Sequence, residues 1–233
     1  MKLSTPQKTV AQDPARFVVL VTGRRFGKTT LGVRQLFYHA RQPDQNCWAC
    51  LPSYRMARNV WWDQVKKKAL ELNWAKKINE ADLSIVLKNG SKISLKGADN
   101  RDALRGAKLN YIFLDECANI EKEAYTEVLR PTLSDTGGKA MFAGTPKGIS
   151  NWLYDIYQQG QDPTDPNWSS YQFTTIDGGF VKQEEIEQAK AELDQKVFKQ
   201  EYEGTFENYE GRIYYGFERQ HNVKDFTFDQ RQN

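Results

Sequence analysis

Residues 22–30 read Thr22-Gly23-Arg24-Arg25-Phe26-Gly27-Lys28-Thr29-Thr30 and directly follow the apolar run Phe17-Val18-Val19-Leu20-Val21. A buried strand that breaks into a glycine-containing loop and opens a helix with Gly-Lys-Thr is a phosphate cradle. Backbone N–H groups and the helix N-terminus face the anion, Lys28 reaches the β- and γ-phosphates, and the Thr29 hydroxyl holds Mg²⁺. The strict pattern has glycine where Thr22 stands, with Gly23 beside it here. Strand before and helix after supply the context the motif needs, so the loop predicts binding of a nucleoside triphosphate through residues 22–30.

A second cluster fits the first. Tyr111-Ile112-Phe113-Leu114-Asp115-Glu116 is an apolar strand ending in two carboxylates. In a parallel α/β sheet ligands collect at the carboxyl ends of strands, which puts this end beside the phosphate loop. Asp115 then completes the Mg²⁺ shell, while Glu116, pointing in another direction, faces the γ-phosphate and polarises an attacking water. A water activator belongs to hydrolysis rather than to passive binding. Ala140-Met141-Phe142-Ala143-Gly144-Thr145-Pro146 is another strand ending in a small polar turn, with Thr145 set to sense the γ-phosphate or the water. Arg24 and Arg25 lie inside the loop, in position to touch phosphate in cis. Arg101 and Arg105 precede the acidic strand, where a solvated loop arginine and an arginine reaching a neighbouring subunit's phosphate are both open readings. Gln7, in Thr5-Pro6-Gln7-Lys8, has an amide able to bond N6 and N7 of adenine; a terminus without fixed structure is the other reading.

These residues need elements to position them. Strands are predicted at 17–22, 47–52, 84–88, 92–96, 111–115, 139–144 and 169–175, and helices at 28–41, 54–72, 121–130, 150–159 and 182–203. Asn89-Gly90 between two of the strands signals a tight hairpin. Ser53 caps a helix that sets Met56, Val60, Val65 and Leu72 among Arg55, Arg58, Lys66, Lys67 and Lys68. Strands alternating with helices predict an α/β fold, a mostly parallel sheet with helices on both faces and one inserted antiparallel hairpin.

The 233 residues, 39% hydrophobic and 27% charged, suffice for one domain with a full core. No apolar run is long enough for a membrane span, and the first 20 residues lack a signal peptide's apolar stretch, which argues against membrane and secretory proteins. Cys47 and Cys50 form a lone Cys-x-x-Cys within an apolar stretch, read as buried thiols of a reducing compartment rather than as a zinc or redox site. The net charge of +3 hides a division: residues 1–110 carry 21 Lys/Arg against 8 Asp/Glu, and residues 111–233 carry 12 against 22. That basic half suggests a phosphate-bearing partner, nucleic acid first, unless the halves neutralise each other within one fold. After about residue 207 the composition turns rich in Tyr and Gly and reads as a linker, or as a terminus that frays.

Taken together, the motifs resemble the ATPase domain of the large terminase subunit, the DNA-packaging motor of tailed bacteriophages, over about residues 5–206. The resemblance rests on Thr22–Thr30 as a deviant Walker A with an early arginine, Arg24, and on Ile112–Glu116 as Walker B with its catalytic glutamate. Gly144-Thr145-Pro146 stands as the coupling motif and Gln7 as the adenine contact. It implies a P-loop NTPase of the additional-strand, catalytic-glutamate class, using ATP and Mg²⁺. Lys28, Glu116 and a trans-acting Arg105 in Leu104-Arg105-Gly106 are then the catalytic set. The implied partners are double-stranded DNA, the portal of the procapsid, a small terminase subunit and further copies in a homo-oligomeric ring (a pentamer), in the infected host cell's cytoplasm. Residues 1–206 would be the motor, and 207–233, through Glu210-Gly211-Arg212-Ile213-Tyr214, the connector toward a nuclease domain whose acidic ligands this sequence lacks. A helicase-like ATPase shares the same motifs but normally has two core domains; a nucleotide-gated DNA-binding module without hydrolysis leaves Glu116 without a purpose.

Overall fold

The structure is a computed structural model and describes residues 3–208. Ser4 opens helix α1 (Thr5–Ala11) with a capping box: its hydroxyl accepts from the Gln7 N–H, while Gln7 Oε1 accepts from the Ser4 N–H. Strand β1 (Phe17–Thr22) leads through the loop into α2 (Lys28–Ala40), and β2 (Asn46–Leu51) into α3. Helix α3 is continuous, made of Tyr54–Met56, a wide π-helical segment Ala57–Trp62, and Asp63–Glu71. Three antiparallel strands follow: β3 (Ala75–Asn79), β4 (Ser84–Leu87) and β5 (Lys92–Gly97). Then come β6 (Tyr111–Leu114), helix α4 (Ala124–Leu129 running into Arg130–Thr132), β7 (Lys139–Gly144), α5 (Trp152–Gln159) and β8 (Trp168–Phe173). Helix α6 (Gln183–Glu192) and helix α7 (Gln195–Phe198, continuing as Lys199–Glu203) end the described part.

The eight strands form one sheet in the order β3-β4-β5-β2-β6-β7-β1-β8, parallel from β5 to β8. Strand β7 separates β1 from β6, in keeping with the additional-strand class that the family resemblance implies. Alternation along each strand makes two cores. Val18 and Leu20 of β1, Phe113 of β6 and Ala143 of β7 face α2 and α3, whereas Phe17, Val19, Val21, Ile112, Leu114 and Phe142 face α4 and α5. The inner strands are therefore apolar on both sides, and burying them sets the strand ends in one row.

The predicted hairpin is present, with Gly90 at φ 88° in its turn. Asn89 has a second role there: its amide donates to the carbonyls of Ala40, Arg41 and Gln42, closing the C-terminus of α2. Two elements go beyond the sequence expectation, the edge strand β3 and helix α1. The helix predicted over 182–203 is instead two, because Leu193 is extended and Asp194 caps a new helix by accepting from Lys196 and Val197. Cys47 and Cys50 fall in opposite cores, three strand positions apart, and burial pushes both thiols up to about 12, so they are packed thiols and not a paired site. Residues 209–233, which hold most of the expected connector, lie outside the described residues.

Candidate active site

At the carboxyl ends of β1, β7 and β6 lies a cleft of about 390 Å³, lined by Arg24, Arg25, Gly27, Lys28, Thr29, Thr30, Glu116 and Phe180. Its floor is the turn from β1 into α2. Gly27 sits at φ 94° as the residue before the helix, and Arg25 at φ 62°, so the loop curls before Lys28 begins the helix. The conformation is braced from three directions. Gly23 donates to the Phe173 carbonyl at 3.1 Å, Arg24 donates its N–H to the Glu201 carbonyl at 2.7 Å, and Thr175 Oγ1 donates to the Arg24 carbonyl at 2.7 Å. The Arg24 guanidinium also pairs with the Glu201 carboxylate, which raises its pKa.

Lys28 is buried, and its ammonium donates to Thr145 Oγ1 at 3.2 Å while standing 4.0 Å from Glu116 Oε1. Three strand ends thus converge on one cation: β1 through the loop, β7 through Thr145 and β6 through Glu116. Glu116 holds its place with a left-handed backbone at φ 51°, a conformation that costs a non-glycine residue on the order of 1 kcal/mol or more. That corner sends the two carboxylates in different directions. Glu116 enters the cleft, and Asp115 turns back under it.

Asp115 is wholly buried. Its Oδ2 accepts from the Trp61 indole N–H at 2.7 Å and lies 3.5 Å from Thr29 Oγ1, and its Oδ1 accepts from the Glu116 N–H at 3.0 Å. Burial, then the nearby Glu116, raise its pKa, and no lysine or arginine of the described residues pairs with it. A buried carboxylate beside a threonine hydroxyl at a phosphate cradle is the donor set of a Mg²⁺ that takes its other ligands from phosphate and water. The residues fit that ion. No group of three or more His, Cys, Asp or Glu among the described residues makes a metal site by itself.

Four of the expected nucleotide contacts stand behind the cleft rather than in it. Thr22 is buried and donates to the Gly23 carbonyl, and Gly23 is packed so closely that an added Cβ would lie 2.3 Å from the Tyr202 carbonyl oxygen. Phe26 turns its ring into the core, 5.4 Å from and parallel to Phe173. Gln7 is fully buried, its Oε1 held by Ser4 and its Nε2 donating to the carbonyls of Phe26 at 3.1 Å and Gly27 at 3.2 Å. Its amide serves the loop from behind, since both ends are already engaged. Arg105 is not brought to the cleft within the chain: it is exposed, paired with Asp102 at 3.2 Å, and lines a separate surface groove with Glu127 and Asp135. Arg101 pairs with Glu121 at 3.0 Å. Sequence reasoning missed Trp61, Glu201 and Phe180; only the exposed aromatic after Gly178-Gly179 carried a signal, as a bulky residue in a glycine turn.

Known proteins share this architecture. The large terminase ATPase domain of Thermus phage P74-26 matches with a TM-score of 0.77 at 24% identity, covering 88% of this chain and 94% of that one. The large terminase of another thermophilic bacteriophage, solved in complex with ADP, matches with a TM-score of 0.78 at 19% identity, covering 94% of this chain and 57% of that one. These likenesses establish the fold, that of a P-loop NTPase. By sequence, the terminase large subunit of Escherichia phage T5 is 34% identical over 221 residues, 92% of this chain and 49% of that protein. The chain spans about half the length of the curated relatives it matches. The model of the N-terminal part of the T4likevirus-type terminase large subunit matches residues 19–221, and the chain belongs to that family.

Proposed function

We propose that this domain hydrolyses ATP and turns the hydrolysis into movement of double-stranded DNA into a procapsid. The observation that carries the reading is the Lys28 ammonium between Thr145 and Glu116, with Asp115 turned toward Thr29. Lys28 neutralises the β/γ-phosphates, and the amides of Gly27 to Thr30 cradle them at the start of α2. Bound Mg²⁺, held by Thr29 and Asp115, would offset charge on the phosphate oxygens. Glu116 takes the proton of the attacking water, and Thr145 orients that water or the γ-phosphate next to Lys28. Arg24 and Arg25 border the same cleft as further cationic donors. Arg105, exposed and outside the lining of its own cleft, acts on a neighbour's phosphate in a ring of copies, pentameric by family resemblance. Portal and small terminase subunit are the remaining partners of that assembly, in the host cytoplasm, and residues 207–233 lead on to a nuclease domain.

Glu116→Gln tests the reading, because it keeps size and loses basicity. Turnover is expected to fall by roughly 10²–10⁴, with Mg-ATP binding retained. Unchanged turnover removes Glu116 from the chemistry, and the absence of hydrolysis by the wild type at any DNA concentration favours a nucleotide-gated binding module.

A further inference from the structure

The nucleotide cleft lies at the carboxyl ends of the strands; a second cavity, of about 360 Å³, lies at their amino ends. The loop after α1, the last turns of α2 and the first residues of β6 and β7 enclose it. Two cations hold its walls together. The Lys139 ammonium donates to the carbonyls of Pro14 at 2.7 Å and Ala15 at 3.3 Å, and the Arg16 guanidinium to those of Gly138 at 3.0 Å and Leu133 at 3.1 Å. Each keeps further N–H groups beyond those bonds. Asp13 is the one carboxylate among the described lining residues, and both its oxygens are taken, by the Ala15 N–H and by the Tyr171 hydroxyl. Arg41, stacked on Tyr38 at 4.0 Å, adds a third positive charge beside the cavity. Two polar groups in the lining are unused. Tyr111 has a buried hydroxyl with no partner, and His39, stacked on its ring at 3.9 Å, makes no hydrogen bond among the described residues. Burial, then Lys139 and Arg41, lower the imidazole's pKa to about 4, so at pH 7 it is neutral with one N–H to donate. Net positive charge, an unpaired donor and an apolar wall of Val18 and Met141 thus meet in one place.

We propose that this cavity binds a small organic anion, with its carboxylate or phosphate head at Lys139 and His39 and its apolar body against Val18 and Met141. The remaining Lys139 N–H and the His39 N–H donate to the head, and Arg16 and Arg41 add attraction without leaving their own partners. The volume falls at the low end of small-molecule pockets, roughly 300–1,000 Å³, which suits a single-ring acid. The site stands at the opposite ends of β6 and β7 from Glu116 and Thr145, and it does not rest on the nucleotide reading.

Benzoate and phenyl phosphate, with benzamide as the uncharged counterpart of benzoate, are the probes. Each is titrated into the full chain at pH 7 and followed by the imidazole proton resonances. The sequence holds only two histidines, His39 and His221, so His39→Phe assigns the signal. At least one anion should move the His39 signal saturably, with a Kd of about a millimolar, the scale for so small a ligand. The tighter of the two identifies the head group. Benzamide should bind more weakly than benzoate by about tenfold or more, because charge-assisted bonds are the strong ones. Lys139→Met should weaken the anion by about as much, and Lys139→Arg, which keeps the charge, should largely retain it. Because Lys139→Met also frees the loop at Pro14 and Ala15, Ala11→Leu is the second variant: it fills the cavity from α1, removes no charge and should abolish the shift. Neither anion moving the His39 signal, benzamide binding as tightly as benzoate, or anion affinity unchanged in both Lys139→Met and Ala11→Leu would each overturn the proposal and leave the cavity to water.

Discussion

Trp61→Phe isolates one hydrogen bond of the metal end of the site. Trp61 is entirely buried in the π-helical segment of α3, with its ring 5.2 Å from Phe113 and its N–H on Asp115 Oδ2 at 2.7 Å. Phenylalanine keeps an aromatic face toward Phe113 and removes the donor. A hydrogen bond to a charged group contributes roughly 1.5–3 kcal/mol, and the smaller ring leaves a cavity term, so we expect a loss of about 2–4 kcal/mol in unfolding free energy. The second effect is more specific. Without the indole, Asp115 loses a group that favours its charged form and fixes its rotamer, and its pKa, already raised by burial and Glu116, rises further. Groups behind a metal ligand typically contribute 10–100-fold to metal affinity, so the Mg²⁺ concentration for half-maximal stabilisation by ADP should rise about tenfold. Trp62→Phe is the matched control, because the Trp62 N–H donates to Glu80 and not to Asp115. Thermal melts with ADP across a Mg²⁺ titration read both effects. If the two variants shift the Mg²⁺ midpoint equally, or neither does, Trp61 is only a packing residue and the argument from its N–H is wrong.

Lys28→Ala should lower nucleotide affinity by on the order of 10²-fold, since charge-assisted contacts contribute about 1.5–3 kcal/mol each, while melting stays close to wild type; calorimetric titration beside a melt decides it. His39, stacked on Tyr111 at 3.9 Å, has its pKa lowered to about 4 by burial, then by Lys139 and Arg41. Its unfolded form binds a proton first as pH falls, so stability is full above about 6.5 and declines toward 4; His39→Phe should remove about 2 kcal/mol of the pH 7 to pH 5 difference seen in denaturant titrations. Arg105→Ala and Glu116→Gln, each inactive in an assembled state, should recover part of the activity when mixed if Arg105 serves a neighbour; a mixture as inactive as its parents confines Arg105 to its own surface loop.

The strands were legible because their burial is two-sided: Phe17–Val21, Tyr111–Leu114 and Ala140–Ala143 are continuous apolar runs, which parallel inner strands require. Strand β3 was not, since Ala75-Lys76-Lys77-Ile78-Asn79 at the sheet edge buries no residue fully and has no alternation to reveal it. Helix α1 carried a readable signal, Ser4 three residues before Gln7, but a capping glutamine and a ligand-binding glutamine look the same in sequence. Within the site, Lys28, Thr29, Asp115, Glu116 and Thr145 were legible because each motif is a strand and its own end. Their supports were not. Gln7 to Gly27, Arg24 to Glu201 and Trp61 to Asp115 join positions that no local pattern relates.

The charge division has a spatial form that neither sequence alternative described. Strands β3, β4, β5 and β2 and helix α3, all from the basic first half, make one flank of the sheet, whereas β8 with α6 and α7 forms the other. Strand β1 is the exception, inserted between β7 and β8. The phosphate loop is therefore carried on a first-half strand into second-half surroundings, where Glu116, Thr145 and Glu201 meet its cations. Pairs between the halves also form outside that cleft, Arg101 with Glu121 and Lys108 with Asp135. On α3, Lys66, Lys67 and Lys68 pair with Asp63, Glu80 and Glu71, so the basic excess of that flank comes from Arg55, Lys76, Lys77 and Lys92, against Glu184, Glu185 and Glu187 on α6. Opposite charge on opposite flanks suits head-to-tail contact, in which two different surfaces of one copy meet, and does not suit a two-fold dimer, where each patch would face itself. Such contact between exposed charges weakens as salt shortens the screening length below about 10 Å, so the proposed ring and the reach of Arg105 should share one salt dependence, while ATP binding in the single chain should not follow it.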